Sequence, residues 1–107
     1  MNHRIKEIVA QIEDNLSQLL TIRMLAEFLG MSTSHLHHIF KQDVSISPMK
    51  YIKNLRLQKA RELLETTKLS IKEIRAKVGI KNESHFMSDF KQKFGATPTE
   101  YRRNFHE

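Results

Sequence analysis

The chain has 107 residues, with 18 Lys and Arg against 12 Asp and Glu, a net charge of +6, and 39% apolar residues. That length allows one ordinary domain, or two very small ones sharing an element. The lack of cysteine excludes a disulfide framework and a thiolate metal site, and no apolar run approaches the ~20 residues that span a membrane.

A sequence pI near 9.8 is the electrostatic footprint of a nucleic-acid binder. The stretch Met1-Asn2-His3-Arg4-Ile5-Lys6-Glu7 lacks the apolar block of a secretory signal, so a cytoplasmic location is the default expectation. Ile5, Ile8, Val9, Ile12 and Leu16 recur at helical spacing and predict a first amphipathic helix over roughly 3–18. Thr21 is placed to cap a second helix, because its hydroxyl can accept from an unpaired first-turn N–H. Ile22, Leu25, Ala26 and Leu29 form that helix's apolar face, and Gly30 ends it by permitting left-handed backbone. Ser32 caps a third helix with Leu36, Ile39 and Phe40 inward.

Ser47-Pro48 is a start signal, since proline at the first helical position has no N–H to leave unpaired. The helix that follows runs over about 48–66 and spans roughly 28 Å. Ile52, Leu55, Ala60, Leu63 and Leu64 face in; Lys50, Lys53, Arg56, Lys59 and Arg61 lie on or near its wet side. Ser70 caps a fifth helix with Ile71, Ile74 and Val78 inward and Gly79 at its end. A sixth covers about 82–94 with Phe86, Phe90 and Phe94 at four-residue spacing, which reads as core rather than as a stacking platform. Thr97-Pro98 opens a short seventh helix carrying Tyr101, Arg102, Arg103 and Phe105. Seven helices without a strand candidate make an all-α domain over 1–107.

The pattern is written twice. Leu20-Thr21-Ile22-Arg23 returns as Leu69-Ser70-Ile71-Lys72, Gly30-Met31 as Gly79-Ile80, Phe40-Lys41-Gln42 as Phe90-Lys91-Gln92, and Ser47-Pro48 with Tyr51 as Thr97-Pro98 with Tyr101. The offset is 49 up to the glycine and 50 from Phe40 onward, so one residue is inserted. Each copy reads as helix, glycine turn, helix, then a Ser/Thr-Pro start, which is a helix-turn-helix pattern. A first unit over 3–46, a joining helix over 47–67 and a second unit over 68–107 follow.

From Leu20 to Arg103 the chain resembles the DNA-binding domain of AraC/XylS-type bacterial transcription regulators. The resemblance rests on Leu25-Ala26, Gly30-Met31-Ser32, Leu36, Phe40-Lys41, Ser47-Pro48 with Tyr51-Ile52, and Arg56-Leu57 with Ala60 and Leu63-Leu64. It continues through Ile71, Ile74, Gly79, Phe86, Phe90-Lys91, Phe94-Gly95, Thr97-Pro98 and Tyr101-Arg102. It implies two homeodomain-like helix-turn-helix subdomains joined by a long helix, each placing a recognition helix in successive major grooves of double-stranded DNA, with transcription regulated, as activation, through a promoter or operator. Contact with RNA polymerase is a second implied partnership.

The family's base-contacting positions correspond to Ser34, His37 and His38 in the first unit and to Ser84, His85, Met87 and Ser88 in the second. None is an Arg that could take guanine bidentately, and Ser88 stands where many members carry Arg. Phosphate contacts are expected at the helix starts Thr21, Ser32, Ser70, Asn82 and Thr97, whose N–H groups point at anions, and at Lys41, Arg56, Lys81 and Lys91. Arg75 is a second departure, because the family usually has Ala there, as the first unit does at Ala26. Either the second unit splays, or Arg75 emerges toward phosphate. Glu83 reads as a first-turn acid favouring the helix dipole rather than as a cytosine reader.

Other readings are weaker. No nucleophile motif, Gly-rich phosphate loop or H-E-x-x-H is present, so no enzyme or cofactor is expected. His35 and His38 lie one turn apart but lack the further ligands of a metal site. Three histidines on one recognition helix predict stronger DNA binding as pH falls from 7 to 5.5. A module docking on polymerase or another protein without strong base readout is the alternative. With two reading heads on one chain, a monomer is expected, whether the chain is a whole small regulator or the C-terminal part of a longer one.

Overall fold

The computed structural model describes residues 2–107. Its helices are α1 (His3–Asp14), α2 (Ile22–Leu29), α3 (Thr33–Val44), α4 (Pro48–Thr66), α5 (Ile71–Val78), α6 (Glu83–Phe94) and α7 (Pro98–His106). Among the described residues there is no strand, and no helix is long and apolar enough to cross a membrane. The order and class are those expected; the one displaced boundary is the end of α1. The helix stops at Asp14 rather than near 18 because Asn15 closes it. Its N–H donates to the Ile12 carbonyl at 3.2 Å and its Nδ2 to the Gln11 carbonyl at 2.9 Å, satisfying last-turn acceptors. Ile5, Ile8 and Ile12 are fully buried, while Val9 and Leu16 are only half-buried.

The chain divides into two compact units, one ending at Asn54 and one beginning at Leu55. The division falls inside α4, so this helix supplies residues to both.

In the first unit α1, α2 and α3 pack on one another. Ile5, Ile8, Ile12, Leu25, Ala26, Leu29, Leu36, Phe40 and Ile52 are buried. The Tyr51 ring meets Phe40 edge-on at 5.6 Å, a favoured arrangement of aromatic quadrupoles. Arg4 Nη2 donates to the Leu29 carbonyl at 2.7 Å, tying α1 to the end of α2.

The second unit has its own core of Leu57, Ala60, Leu64, Ile74, Val78, Phe86 and Phe90. Leu57 is the buried residue near the start of this stretch, and the expected Leu55 and Leu63 are half-buried. The inward stripe is 57, 60, 64, at the 3- and 4-residue steps of one helix face. Phe90 and Tyr101 repeat the edge-on contact at 5.6 Å. Phe94 is half-buried rather than fully inward: its ring lies 4.6 Å from Phe90 and carries the Arg61 guanidinium 4.9 Å above it. Arg102 reaches the end of α4, donating Nη1 to Leu69 at 2.6 Å, Nε to Leu64 at 3.2 Å and Nη2 to Thr67 at 3.2 Å, all at carbonyl oxygens. Carbonyls that a helix end leaves without partners are thereby satisfied.

The repeat extends further than the motifs suggest. Arg4, Ile5, Ile8, Ile12 and Glu13 of α1 correspond to Arg56, Leu57, Ala60, Leu64 and Glu65 of α4, at a constant offset of 52. Half of α4 is therefore the second unit's counterpart of α1.

Candidate nucleic-acid interface

Each unit presents a helix through a glycine turn. Gly30 ends α2 at φ 67°, ψ 37°, and Gly79 ends α5 at φ 80°, ψ 25°. Residues with a Cβ are strained in this left-handed region. In both units the residue after glycine reaches back to the helix. Met31 N–H donates to the Ala26 carbonyl at 3.0 Å, and Ile80 N–H to the Arg75 carbonyl at 2.9 Å.

The turns then differ. Met31 leads directly to the cap Ser32, whereas Ile80 is followed by Lys81 before the cap Asn82. Lys81 is the residue inserted in the repeat. Arg75, 15% exposed, folds back so that Nη1 donates to the Lys81 carbonyl at 2.9 Å. Its head is held by the turn itself. Its Nη2 lies 3.9 Å from the carboxylate of Glu83, which is 63% exposed.

Ser32 Oγ accepts the His35 N–H at 3.1 Å and Asn82 Oδ1 the His85 N–H at 2.8 Å. These caps fix where α3 and α6 begin and leave the first N–H groups of each helix for an outside acceptor. On α3, Ser34, His37, His38 and Lys41 are all exposed, and their 3- and 4-residue spacing sets them on one face. His37, His38, Lys41 and Gln42 line one shallow depression. On α6, Ser84, Ser88 and Lys91 are exposed in the same register, His85 is exposed, and Met87 is half-buried.

Among the phosphate candidates, Thr21, Ser70 and Thr97 are also helix caps, accepting from Met24, Glu73 and Glu100 N–H groups. Lys81 is exposed. Arg56 differs from the lysines: it is half-buried, and burial holds its pKa below the usual arginine value. It occupies the repeat position of Arg4, the residue that ties α1 to the end of α2. Among the described residues no group of three or more His, Asp or Glu could hold a metal ion.

Two features escaped the sequence reading although their signals are present. Ser70-x-x-Glu73 and Thr97-x-x-Glu100 are capping boxes in which each acid accepts the cap residue's own N–H at 3.0 Å. Those hydrogen bonds lower both glutamate pKa values. Each unit also has a tyrosine–glutamate pair. Tyr101 donates to Glu65, which raises the tyrosine pKa. Tyr51 is raised by burial first and then by Glu13.

The family model described as "Helix-turn-helix domain" matches residues 25–104. The raffinose operon transcriptional regulatory protein RafR of Pediococcus pentosaceus is 35% identical over 96 residues, covering 90% of this chain and 35% of RafR. The C-terminal domain of AraT, a response regulator of Geobacillus stearothermophilus, superposes with a TM-score of 0.90 at 35% identity, over 96% of this chain and 86% of that one. An AraC-type transcriptional regulator of Chromobacterium violaceum gives 0.86 at 34%, over 97% and 93%. The chain spans about a third or less of the length of the curated relatives it matches. With the duplicated helix-turn-helix geometry and this match over most of its length, the chain belongs to the AraC/XylS family of transcription regulators, as a DNA-binding domain of that type.

Proposed function

We propose that the units over 3–46 and 68–107, joined by 47–67, read one DNA duplex through α3 and α6 in successive turns of the major groove. The observation that carries this reading is the recurrence of one stripe at matching positions of two capped helices: Ser34, His37, His38 and Lys41, all exposed, then exposed Ser84, Ser88 and Lys91 with half-buried Met87. The serine and histidine side chains, with His85, contact base edges; Met87 meets a thymine methyl. The caps Thr21, Ser32, Ser70, Asn82 and Thr97 with Lys41, Lys81 and Lys91 hold phosphate. Half-buried Arg56 joins them as a further cation.

The domain acts in the cytoplasm as a monomer and supports activation by touching RNA polymerase. Met24 and Phe28, one turn apart on α2 and 46% and 53% exposed, favour such a contact. A Met24→Ala/Phe28→Ala variant keeps its DNA affinity and loses transcript yield if this is right; equal loss of both removes the polymerase contact.

The test of DNA reading is a titration against random-sequence duplex at several salt concentrations, with a His37→Ala/His38→Ala/His85→Ala variant alongside. Log K falling steeply with log salt, and weaker binding by the variant, support the assignment. No binding at low salt contradicts it.

A further inference from the structure

In each unit one tyrosine joins three helices. Tyr51 and Tyr101 sit in the first turns of α4 and α7, where their backbone N–H groups donate to the Ser47 and Thr97 carbonyls at 3.0 and 2.8 Å. The Ser/Thr-Pro starts thereby fix where each ring stands. The Tyr51 ring meets Phe40 of α3 edge-on at 5.6 Å, and the Tyr101 ring meets Phe90 of α6 edge-on at 5.6 Å. Both phenylalanines are fully buried, so each tyrosine grips a recognition helix from its core side. The phenol ends turn to a third helix. Tyr51 is hydrogen-bonded to Glu13 of α1, and Tyr101 donates to Glu65 of α4. The pair is kept although 38 residues separate its members in the first unit and 36 in the second. Glu65 is itself held: Arg61 Nε lies 4.0 Å from its carboxylate, and the same guanidinium stands 4.9 Å above the Phe94 ring of α6.

The two ends of each tyrosine constrain different motions. Apolar packing is non-directional, so ring contact alone lets a recognition helix roll about its axis. A hydrogen bond is directional. Joined in one rigid side chain, they tie the roll of the recognition helix to a helix outside the helix-turn-helix pair. We infer that Tyr51 with Glu13, and Tyr101 with Glu65, are positioning residues that set the roll of α3 and α6, and through it how sharply the exposed side chains of those helices meet base edges. They act through the recognition helix and need no contact of their own with DNA. Base-edge readout depends on such geometry. Phosphate attraction is independent of sequence and governed by charge, so it is insensitive to a small roll. Without the phenol bond the helix occupies further orientations, and affinity for the preferred sequence falls with the fraction that stays competent.

The inference rests on the DNA-reading proposal, and one experiment separates the two. The full chain and its Tyr51→Phe, Tyr101→Phe, Glu65→Gln and Glu65→Leu variants each select binding sequences from a random duplex pool. Affinities for the wild-type-selected duplex and for unselected duplex are measured across a salt series, and urea midpoints are recorded. The wild type is expected to return two blocks of sequence preference. Tyr101→Phe keeps the ring and loses the hydroxyl. It is expected to blur one block and lose about tenfold on the selected duplex, the scale of one hydrogen bond to a charged group. Its affinity for unselected duplex and its salt slope should stay as in the wild type. Tyr51→Phe should blur the other block. Glu65→Gln retains an oxygen acceptor and should keep both blocks, whereas Glu65→Leu should copy Tyr101→Phe. Sharp blocks in both tyrosine variants, with lowered urea midpoints, assign the pairs to stability alone and overturn the inference. So do equal blurring of both blocks by one variant, a block blurred by Glu65→Gln, and failure of both tyrosine variants to fold. If one tyrosine variant alone blurs a block, the inference fails for the other unit. A wild-type chain that retains no duplex defeats the DNA-reading proposal and this one with it.

Discussion

The two units solve the same packing problem with different chemistry. Where the first buries Ile52, the second places Arg102 at the matching position and spends its guanidinium on the carbonyls ending α4. Where the first carries Met24 and Lys50 after its caps, the second carries Glu73 and Glu100 in capping boxes. Where the second ends α6 on Gly95 at φ 84°, the first ends α3 on Ser45 at φ 75°. A duplicated fold therefore keeps its aromatic pairs and caps while its helix ends are free to diverge. Packing density constrains the core, but a helix end can be satisfied by any suitable donor or acceptor.

The largest test of this comparison is at the 52/102 position. Ile52→Ala is expected to cost about 3 kcal/mol through lost burial and a residual cavity. Arg102→Ala should cost about 2 kcal/mol by leaving buried carbonyls unpaired. Urea unfolding at neutral pH measures both. A wild-type midpoint for Arg102→Ala would show that the polar closure is ornamental.

The left-handed ends give a smaller, signed effect. Relief of a strained non-glycine residue is worth about 1–2 kcal/mol, and glycine returns about 0.5–1 kcal/mol of it as unfolded-chain entropy. Ser45→Gly should thus stabilise by about 0.5 kcal/mol and Gly95→Ser destabilise by a similar amount. A Cβ at residue 95 would meet no atom within 4 Å, so backbone strain alone is at issue. Thermal unfolding of the pair should show opposite signs; matching signs would contradict the comparison.

The capping acids give the finest contrast. Glu73 and Glu100 have pKa values lowered by hydrogen bonds to Ser70 and Thr97. The folded protein therefore binds fewer protons than the unfolded chain in the acid range. Their contribution is complete above the ordinary glutamate pKa of about 4.3 and disappears as pH falls through the folded value. A Glu73→Gln/Glu100→Gln variant keeps the amide version of each box but cannot titrate. Its stability should decline less steeply than wild type below about pH 4.3, read from acid titration of helix content. An unchanged acid slope would mean the boxes carry no linkage.

The sequence made the fold legible because helix starts and stops are local. Thr21, Ser32, Ser70, Asn82 and Thr97 cap where hydroxyl and amide side chains allow, and Gly30 and Gly79 stop helices because only backbone freedom is needed there. The register of α4 was less legible: Leu55, Leu57, Leu63 and Leu64 are equally apolar, and only tertiary packing selects 57 and 64. The early end of α1 depended on one asparagine side chain finding the Gln11 carbonyl. The exposure of Ser34, His37, His38 and Lys41 on α3 and of Ser84, Ser88 and Lys91 on α6 was readable from helical spacing. The hydrogen bond from Arg75 to the Lys81 carbonyl was not, since the two residues stand six apart and meet only when the turn is folded.

The most direct measurement is sequence selection from a random duplex pool by three proteins: wild type, Ser34→Ala/His37→Ala/His38→Ala, and Ser84→Ala/Met87→Ala/Ser88→Ala. Two reading heads predict two preference blocks about 10 base pairs apart, with each variant erasing one block and sparing the other. A single block, or two variants that erase the same bases, would contradict the account.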